Sequence, residues 1–148
     1  MSAIQIRRAT RRDIGAILRI EDASFLADAW QAGLFLEYLN GCADLFLVAK
    51  LGGRIAGYSI ACPALRGAEI DSIAVHPRYR GRGVAQRLLT GTLSALRRRR
   101  VPACFLTVRR GNRNAIALYR RFGFVRTRNV PGYYEDGEDG WRMRKRLV

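Results

Sequence analysis

The feature that most constrains this chain is a change of hydrophobic period across a glycine-rich turn. Ala68 to Val75 reads as a strand. Arg80-Gly81-Arg82-Gly83-Val84-Ala85 follows shortly after it, and Val84, Ala85, Leu88, Leu89, Leu93 and Leu96 then recur at helical spacing. A strand, a tight turn and a long amphipathic helix in that order require a sheet for the helix to cover. Small residues at the turn let backbone approach a ligand closely, and successive N–H groups at a helix start can cradle an anion. Two well-known phosphate loops do not fit. The Gly-Lys-Ser/Thr of a Walker loop is absent. So is the acidic residue that a dinucleotide fingerprint places about 20 positions on. On the hexapeptide alone, a tight turn without a ligand stays open.

The flanking segments extend the pattern. Ile4 and Ile6 alternate with polar residues and predict a first strand. Thr10 and Asp13 have capping-box spacing and open a helix with Ile14, Ile17 and Leu18 on one face. A second helix is expected from Asp28 toward Leu39, stopping near Gly41. Leu45 to Lys50 and Arg54 to Ala61, joined across Gly52-Gly53, read as a β-hairpin. Beyond Pro102, Cys104 to Val108 is a short strand, and Ala115, Leu118, Tyr119 and Phe122 mark a helical face closed by Gly123. Phe124 to Thr127 and Trp141 to Leu147 supply two more strands. The order β-α-α-β-β-β-α-β-α-β-β is that of a mixed α/β sheet.

At 148 residues and 49% hydrophobic content the chain fits one domain, expected over 1–148, with a core that needs no staples. The longest uncharged stretch, Ile55 to Leu65, is well short of the roughly 20 residues that cross a bilayer. Arg7 and Arg8 interrupt the N-terminus too early for a secretory signal, so a cytoplasmic protein without membrane contact is expected. Cys42, Cys62 and Cys104 are odd in number, widely spaced and accompanied by a single histidine, His76. That argues against a disulfide framework and a metal site, and the cysteines read as packing residues. His76, before Pro77, reads as structural.

Charge is the value out of line: 27 Lys+Arg against 12 Asp+Glu give +15, with Lys50 and Lys145 the only lysines. Such a chain attracts polyanions such as nucleic acid, ribosomes or phosphorylated small molecules. A compositional bias toward arginine on solvated helix faces accounts for the same numbers. Arg97 to Arg100, for example, close a helix whose dipole favours cations there.

The segment Ile73-Ala74-Val75-His76-Pro77-Arg78-Tyr79-Arg80-Gly81-Arg82-Gly83-Val84-Ala85 resembles the acetyl-CoA signature of the GCN5-related N-acetyltransferase superfamily. Its Gln/Arg-x-x-Gly-x-Gly/Ala pattern is met by Arg80, Gly83 and Ala85. Downstream, Val108 to Tyr119, Phe122-Gly123-Phe124 and Tyr133-Tyr134-Glu135-Asp136-Gly137 are similar to the second half of that fold. Within the superfamily the stretch resembles the bacterial ribosomal-protein-alanine acetyltransferase group. The resemblance implies a mixed sheet splayed between its fourth and fifth strands, flanked by about four helices. It also implies an acetyl-CoA site made largely of backbone. Ile73, Ala74 and Val75 would run beside the pantetheine arm, with their amides polarising the thioester carbonyl. Arg80, Gly81, Arg82, Gly83, Val84, Ala85 and Gln86 would hold the pyrophosphate, and Asn112 would contact the cofactor arm. No metal is implied.

Tyr119 matches the family's tyrosine acid, whose phenol can protonate the departing thiolate. It also shares a helical face with Ala115, Leu118 and Phe122, as a core tyrosine would. The ribosomal-alanine group carries its glutamate base where this chain has Thr107, which cannot serve. Glu69, eleven residues before Arg80, matches the catalytic glutamate of the superfamily's histone acetyltransferases, with Asp71 two residues on. A pair of carboxylates there could raise one pKa; strand-edge acids offsetting arginines are the alternative.

The expectation is acetyl transfer from acetyl-CoA to the N-terminal α-amine of a protein or peptide, with ribosome-associated chains and nonspecific polyanions as further partners. Transfer to a small amine, or a basic RNA-binding module that keeps only the fold, are the competing readings. A cationic surface disfavours polyamines. The chain also lacks the aromatic–basic interleaving of a single-stranded RNA platform.

Overall fold

The computed structural model describes residues 3–25 and 31–148. The strands are β1 (Ile4–Arg8), β2 (Phe46–Leu51), β3 (Arg54–Ala64), β4 (Gly67–Val75), β5 (Ala103–Arg109), β6 (Val125–Val130) and β7 (Gly140–Arg146). The helices are α1 (Ile14–Phe25), α2 (Ala32–Gly41), α3 (Val84–Arg98) and α4 (Arg113–Arg121). This is the order expected from the sequence. The Asp28 start assigned to the second helix lies outside the described residues. The strands form one sheet in the order β1-β2-β3-β4-β5-β7-β6. All neighbours are antiparallel except β4 and β5.

The alternation of each strand feeds two cores. On one face Leu89, Leu93 and Leu96 of α3 and Leu118 and Tyr119 of α4 pack on Cys104, Leu106 and Met143. On the other, Ile17 and Ile20 of α1 and Phe35 of α2 pack on Phe46, Tyr58 and Ile60. Each such side chain contributes about 1.5–3 kcal/mol by leaving water. The Tyr58 hydroxyl lies among these apolar groups, donates to the buried Glu21 carboxylate and sits 3.1 Å from Ser72 Oγ, so its burial leaves no polar group unpaired.

The sheet opens at β4. This strand pairs with β3 throughout, but with β5 only at Ala68↔Cys104 and Glu69↔Phe105. At the closed end, a Cβ on Gly67 would lie 2.1 Å from the Ala103 carbonyl oxygen, so only glycine lets the strands meet there. Two residues past the last pair, Asp71 is an extra residue: Ile70 faces Ala61 while Ser72 already faces Ile60. The bulge bends the strand and reverses which residues face which core. Ala68 and Ile70 join the α3/α4 side, and Ala74 joins the α1/α2 side. Beyond it Ile73, Ala74 and Val75 leave β5 behind, which produces the splay between fourth and fifth strands.

The cysteine expectation needs correction. Cys42 and Cys62 form a disulfide across 20 residues of sequence, Cα atoms 5.4 Å apart, and Cys104 alone is a free, buried thiol. Counting and spacing missed the pair because the fold, not sequence proximity, brings the C-cap of α2 against β3. Closing a loop of this length stabilises by about 3 kcal/mol on the chain-entropy account.

Candidate active site

The two halves of the site are built from different materials. On the donor side, a 3₁₀ turn at Pro77–Tyr79 leads into Gly81 and Gly83, at φ +77° and +83°. His76 Nδ1 accepts from the Arg78 N–H and so caps that turn, a structural role as expected. Arg80 Nε reaches the Val75 carbonyl at 3.4 Å, tying the turn to the end of β4. Gly83 is the N-cap of α3, and no side chain caps the helix. The first helical bond runs from Arg87 N–H to the Gly83 carbonyl. The first-turn N–H groups of Val84, Ala85 and Gln86 are therefore left for a ligand, at the positive end of a long helix dipole. Space does not demand glycine at 81 or 83, since no atom crowds either Cβ position; the left-handed backbone does.

Ile73 packs against the α3/α4 core, the cluster that contains Tyr119. Tyr119 lies edge-on to Phe124, ring centroids 5.7 Å apart, and its hydroxyl makes no hydrogen bond to another described residue. Burial pushes the phenol well above its ordinary pKa, helped by Tyr134 and Cys104, so it stays protonated at any physiological pH. Asn112 spends its Oδ1 capping α4, accepting from Ala115 N–H at 3.2 Å, which leaves its amide NH₂ as a donor.

The acceptor side is made of side chains. Glu69 is held by both nitrogens of the Arg142 guanidinium, at 2.5 and 2.8 Å, and Arg142 Nη1 also lies 3.3 Å from Thr107 Oγ1. The guanidinium stacks over Phe105, 5.3 Å from the ring centroid. An arginine from β7 thus fills the position where a base on β5 would act, and presents Glu69 at the vertex of the slot. Asp71, on the bulge, is hydrogen-bonded by the Tyr38 hydroxyl of α2. Although Asp71 is exposed as a residue, partial desolvation of its carboxyl raises its pKa above the usual carboxylate range. The Glu69 charge adds to this, while Tyr38 and Arg142 oppose it. Tyr38 in turn is pushed up by burial and by Asp71. The loop between β6 and β7 is tied to the end of β5: Arg109 stacks on Tyr134 at 4.1 Å and pairs with Asp136 and Glu138, both at 2.9 Å.

Of the residues singled out from the sequence, Glu69 sits at the last β4–β5 pair, Ile73, Ala74 and Val75 follow on the splayed part of β4, and the glycine turn comes after its end. Tyr119 lies in the core cluster that Ile73 packs against, and Asn112 caps α4. Arg142 and Tyr38 were missed. Nothing in the pattern distinguishes one arginine among so many, and Tyr38 shares a helical face with core residues.

This splayed sheet, with an uncapped helix start beside it, is the architecture of an acyl-CoA-using transferase. Residues 14–124 match the acetyltransferase (GNAT) family, and the chain belongs to that family. It is 36% identical over 152 residues to an N-alpha-acetyltransferase of Sulfolobus acidocaldarius, spanning 94% of this chain and 90% of that one. Among solved structures, Ard1 from Thermoplasma volcanium superposes with a TM-score of 0.92 at 29% identity, covering 99% of each chain. The ribosomal-protein-S18-alanine N-acetyltransferase from Escherichia coli superposes at 0.87 and 28%, covering 99% of this chain and 95% of that one. Among the described residues no cluster could hold a metal and no helix is long and apolar enough to cross a membrane.

Proposed function

We infer that this acetyltransferase moves the acetyl group of acetyl-CoA to the N-terminal α-amine of a protein or peptide. The observation that carries the reading is the pairing of an uncapped glycine turn with a slot whose acceptor end is lined by carboxylates rather than by a strong base. The names of the relatives, which describe α-amine acetyltransferases, agree with it. Bound acetyl-CoA supplies an activated acyl carbon. The Ile73 and Val75 amides, turned away from β3, run beside its arm and polarise the carbonyl, while the Ala74 amide belongs to the ladder with β3. The turn from Arg80 to Gln86 holds its pyrophosphate, and the Asn112 amide donates to the arm.

Tyr119 gives its proton to the leaving thiolate. Its high pKa is no obstacle, because a thiolate in the same dry environment is also a stronger base: burial pushes the nearby Cys104 thiol up to about 12. On the opposite side Glu69, oriented by Arg142, accepts the proton of the incoming ammonium. Any carboxylate is a far weaker base than an amine, and the choice of acceptor relieves that weakness. An α-amine with a pKa of about 7.7–8.0 is roughly a tenth neutral at pH 7, whereas a lysine at about 10.4 is neutral at well under one part in a thousand. Ribosome-associated chains are acceptors that the arginine surface would meet often, chiefly through a faster encounter rate.

The test is release of CoA thiol from acetyl-CoA with three acceptors: free-N-terminus peptides, the same peptides N-terminally blocked, and small amines. Turnover with the first alone is expected. Turnover with small amines alone, or with none, would overturn the reading.

A further inference from the structure

We propose that the face formed by β1, the turn after it and the C-terminal half of α3 is a docking surface for the phosphate backbone of double-stranded RNA. Gly91 lets α3 lie close over the sheet, its Cβ position only 3.3 Å from both Ile6 and Leu47. Past that contact, Ser94, Ala95, Arg98 and Arg99 wall a cleft of about 320 Å³ against Arg7 and Arg8. A second, shallower hollow of about 590 Å³ adjoins it through the same Arg7 and Arg8 and is lined by Arg11 and Arg12. Six arginines thus border one continuous concavity on the edge strand of the sheet.

The two carboxylates present pair with three of the six arginines and offset two of their charges, which leaves a local excess of positive charge. Asp44 bridges Arg8 at 2.9 Å and Arg99 at 2.7 Å, across the gap between the first strand and α3. Asp13, which also accepts the Thr10 N–H, holds Arg7 in a bidentate pair at 2.8 and 2.9 Å. Only the Asp13 side chain is buried; Arg8, Arg99 and Asp44 are 67%, 40% and 49% exposed, so the Asp44 bridge orients side chains more than it stabilises the fold. Arg11, Arg12 and Arg98, which pair with no carboxylate among the described residues, present the planar forks that match phosphate oxygens.

No aromatic residue lines either hollow, so nothing there stacks on an unpaired base. That composition suits a helical backbone read by charge and shape. The acetyl-CoA turn lies at the other end of α3, roughly 20 Å away at 1.5 Å per residue, so both can be occupied together. This surface goes beyond the enzymatic reading and does not depend on it.

The test compares two variants that lose the same charge. One carries Arg11→Gln, Arg12→Gln and Arg98→Gln; the control carries Arg120→Gln, Arg121→Gln and Arg128→Gln on the α4/β6 side. Anisotropy of a labelled 20-base-pair RNA duplex is read across a salt titration, with polyglutamate as competitor. Peptide acetylation is measured in parallel. The expected result is a tenfold or greater loss of duplex affinity for the first variant, less than threefold for the control, and normal acetylation by both. Equal losses would make the binding a property of net charge and overturn the surface, as would no binding at physiological salt. Polyglutamate displacing RNA at equal charge would make an acidic protein the partner and overturn the RNA assignment.

Discussion

The donor and acceptor halves of the slot differ in what makes them. The donor half is backbone: a splayed strand, two left-handed glycines and an uncapped helix start. The acceptor half is side chain: an ion pair between β4 and β7, a carboxyl on a bulge and a tyrosine from α2. Backbone sites tolerate almost any side chain that permits the geometry, so they keep a recognisable pattern of small residues. Side-chain sites can exchange their members, as Arg142 over Thr107 shows. On the proposed reading the first half holds acetyl-CoA and the second receives the amine.

The largest effect that would break this division is expected at Tyr119. Tyr119→Phe keeps the ring against Phe124 and removes only the hydroxyl, so turnover is expected to fall about 10²-fold. Acetyl-CoA affinity and melting temperature are expected to hold. Steady-state kinetics beside calorimetry checks this, and parent-like turnover would return Tyr119 to the core alone. Next is Gly83→Val, which combines a strained φ of +83° with a branched side chain in the path of the phosphates. At least a tenfold loss of acetyl-CoA affinity is expected, about 1.4 kcal/mol. Calorimetry on the folded variant reads it.

Smaller is Glu69→Gln, which removes the carboxylate that Arg142 orients. A loss of up to about tenfold in kcat/KM is expected below pH 7.5, narrowing above pH 8 where the α-amine is already neutral. A pH-independent loss would make Glu69 a positioning residue only. The smallest effect is on stability. Arg7 and the Thr10 N–H hold Asp13 below the usual carboxylate range, so its folded pKa lies under its unfolded one. Its contribution is therefore present above the unfolded value of about 3.9 and lost as pH falls through the folded one. Asp13→Asn is expected to cost about 1 kcal/mol at pH 7, as lost caps do, and the difference should shrink in thermal melts as pH falls below the unfolded value.

The same contrast explains what was legible in the sequence. Glycine spacing and apolar period give away the turn, α3 and the order of all eleven elements, because local backbone requirements choose those residues. The splay followed from the family resemblance, whereas its cause, the extra residue Asp71, leaves no mark in an alternating strand. Arg142, Tyr38 and the Cys42–Cys62 bridge depend on partners 20 to 73 residues away, and nothing local selects them.

The most direct measurement is site mapping on one peptide that carries both a free N-terminus and an internal lysine, incubated with acetyl-CoA and read by tandem mass spectrometry between pH 6.5 and 9. The account predicts acetylation at the α-amine throughout, with the lysine modified slowly if at all. Preferential lysine acetylation at pH 7 would contradict it, because with Thr107 on β5 and only a carboxylate, Glu69, to take the proton, the amine that is already partly neutral should react first.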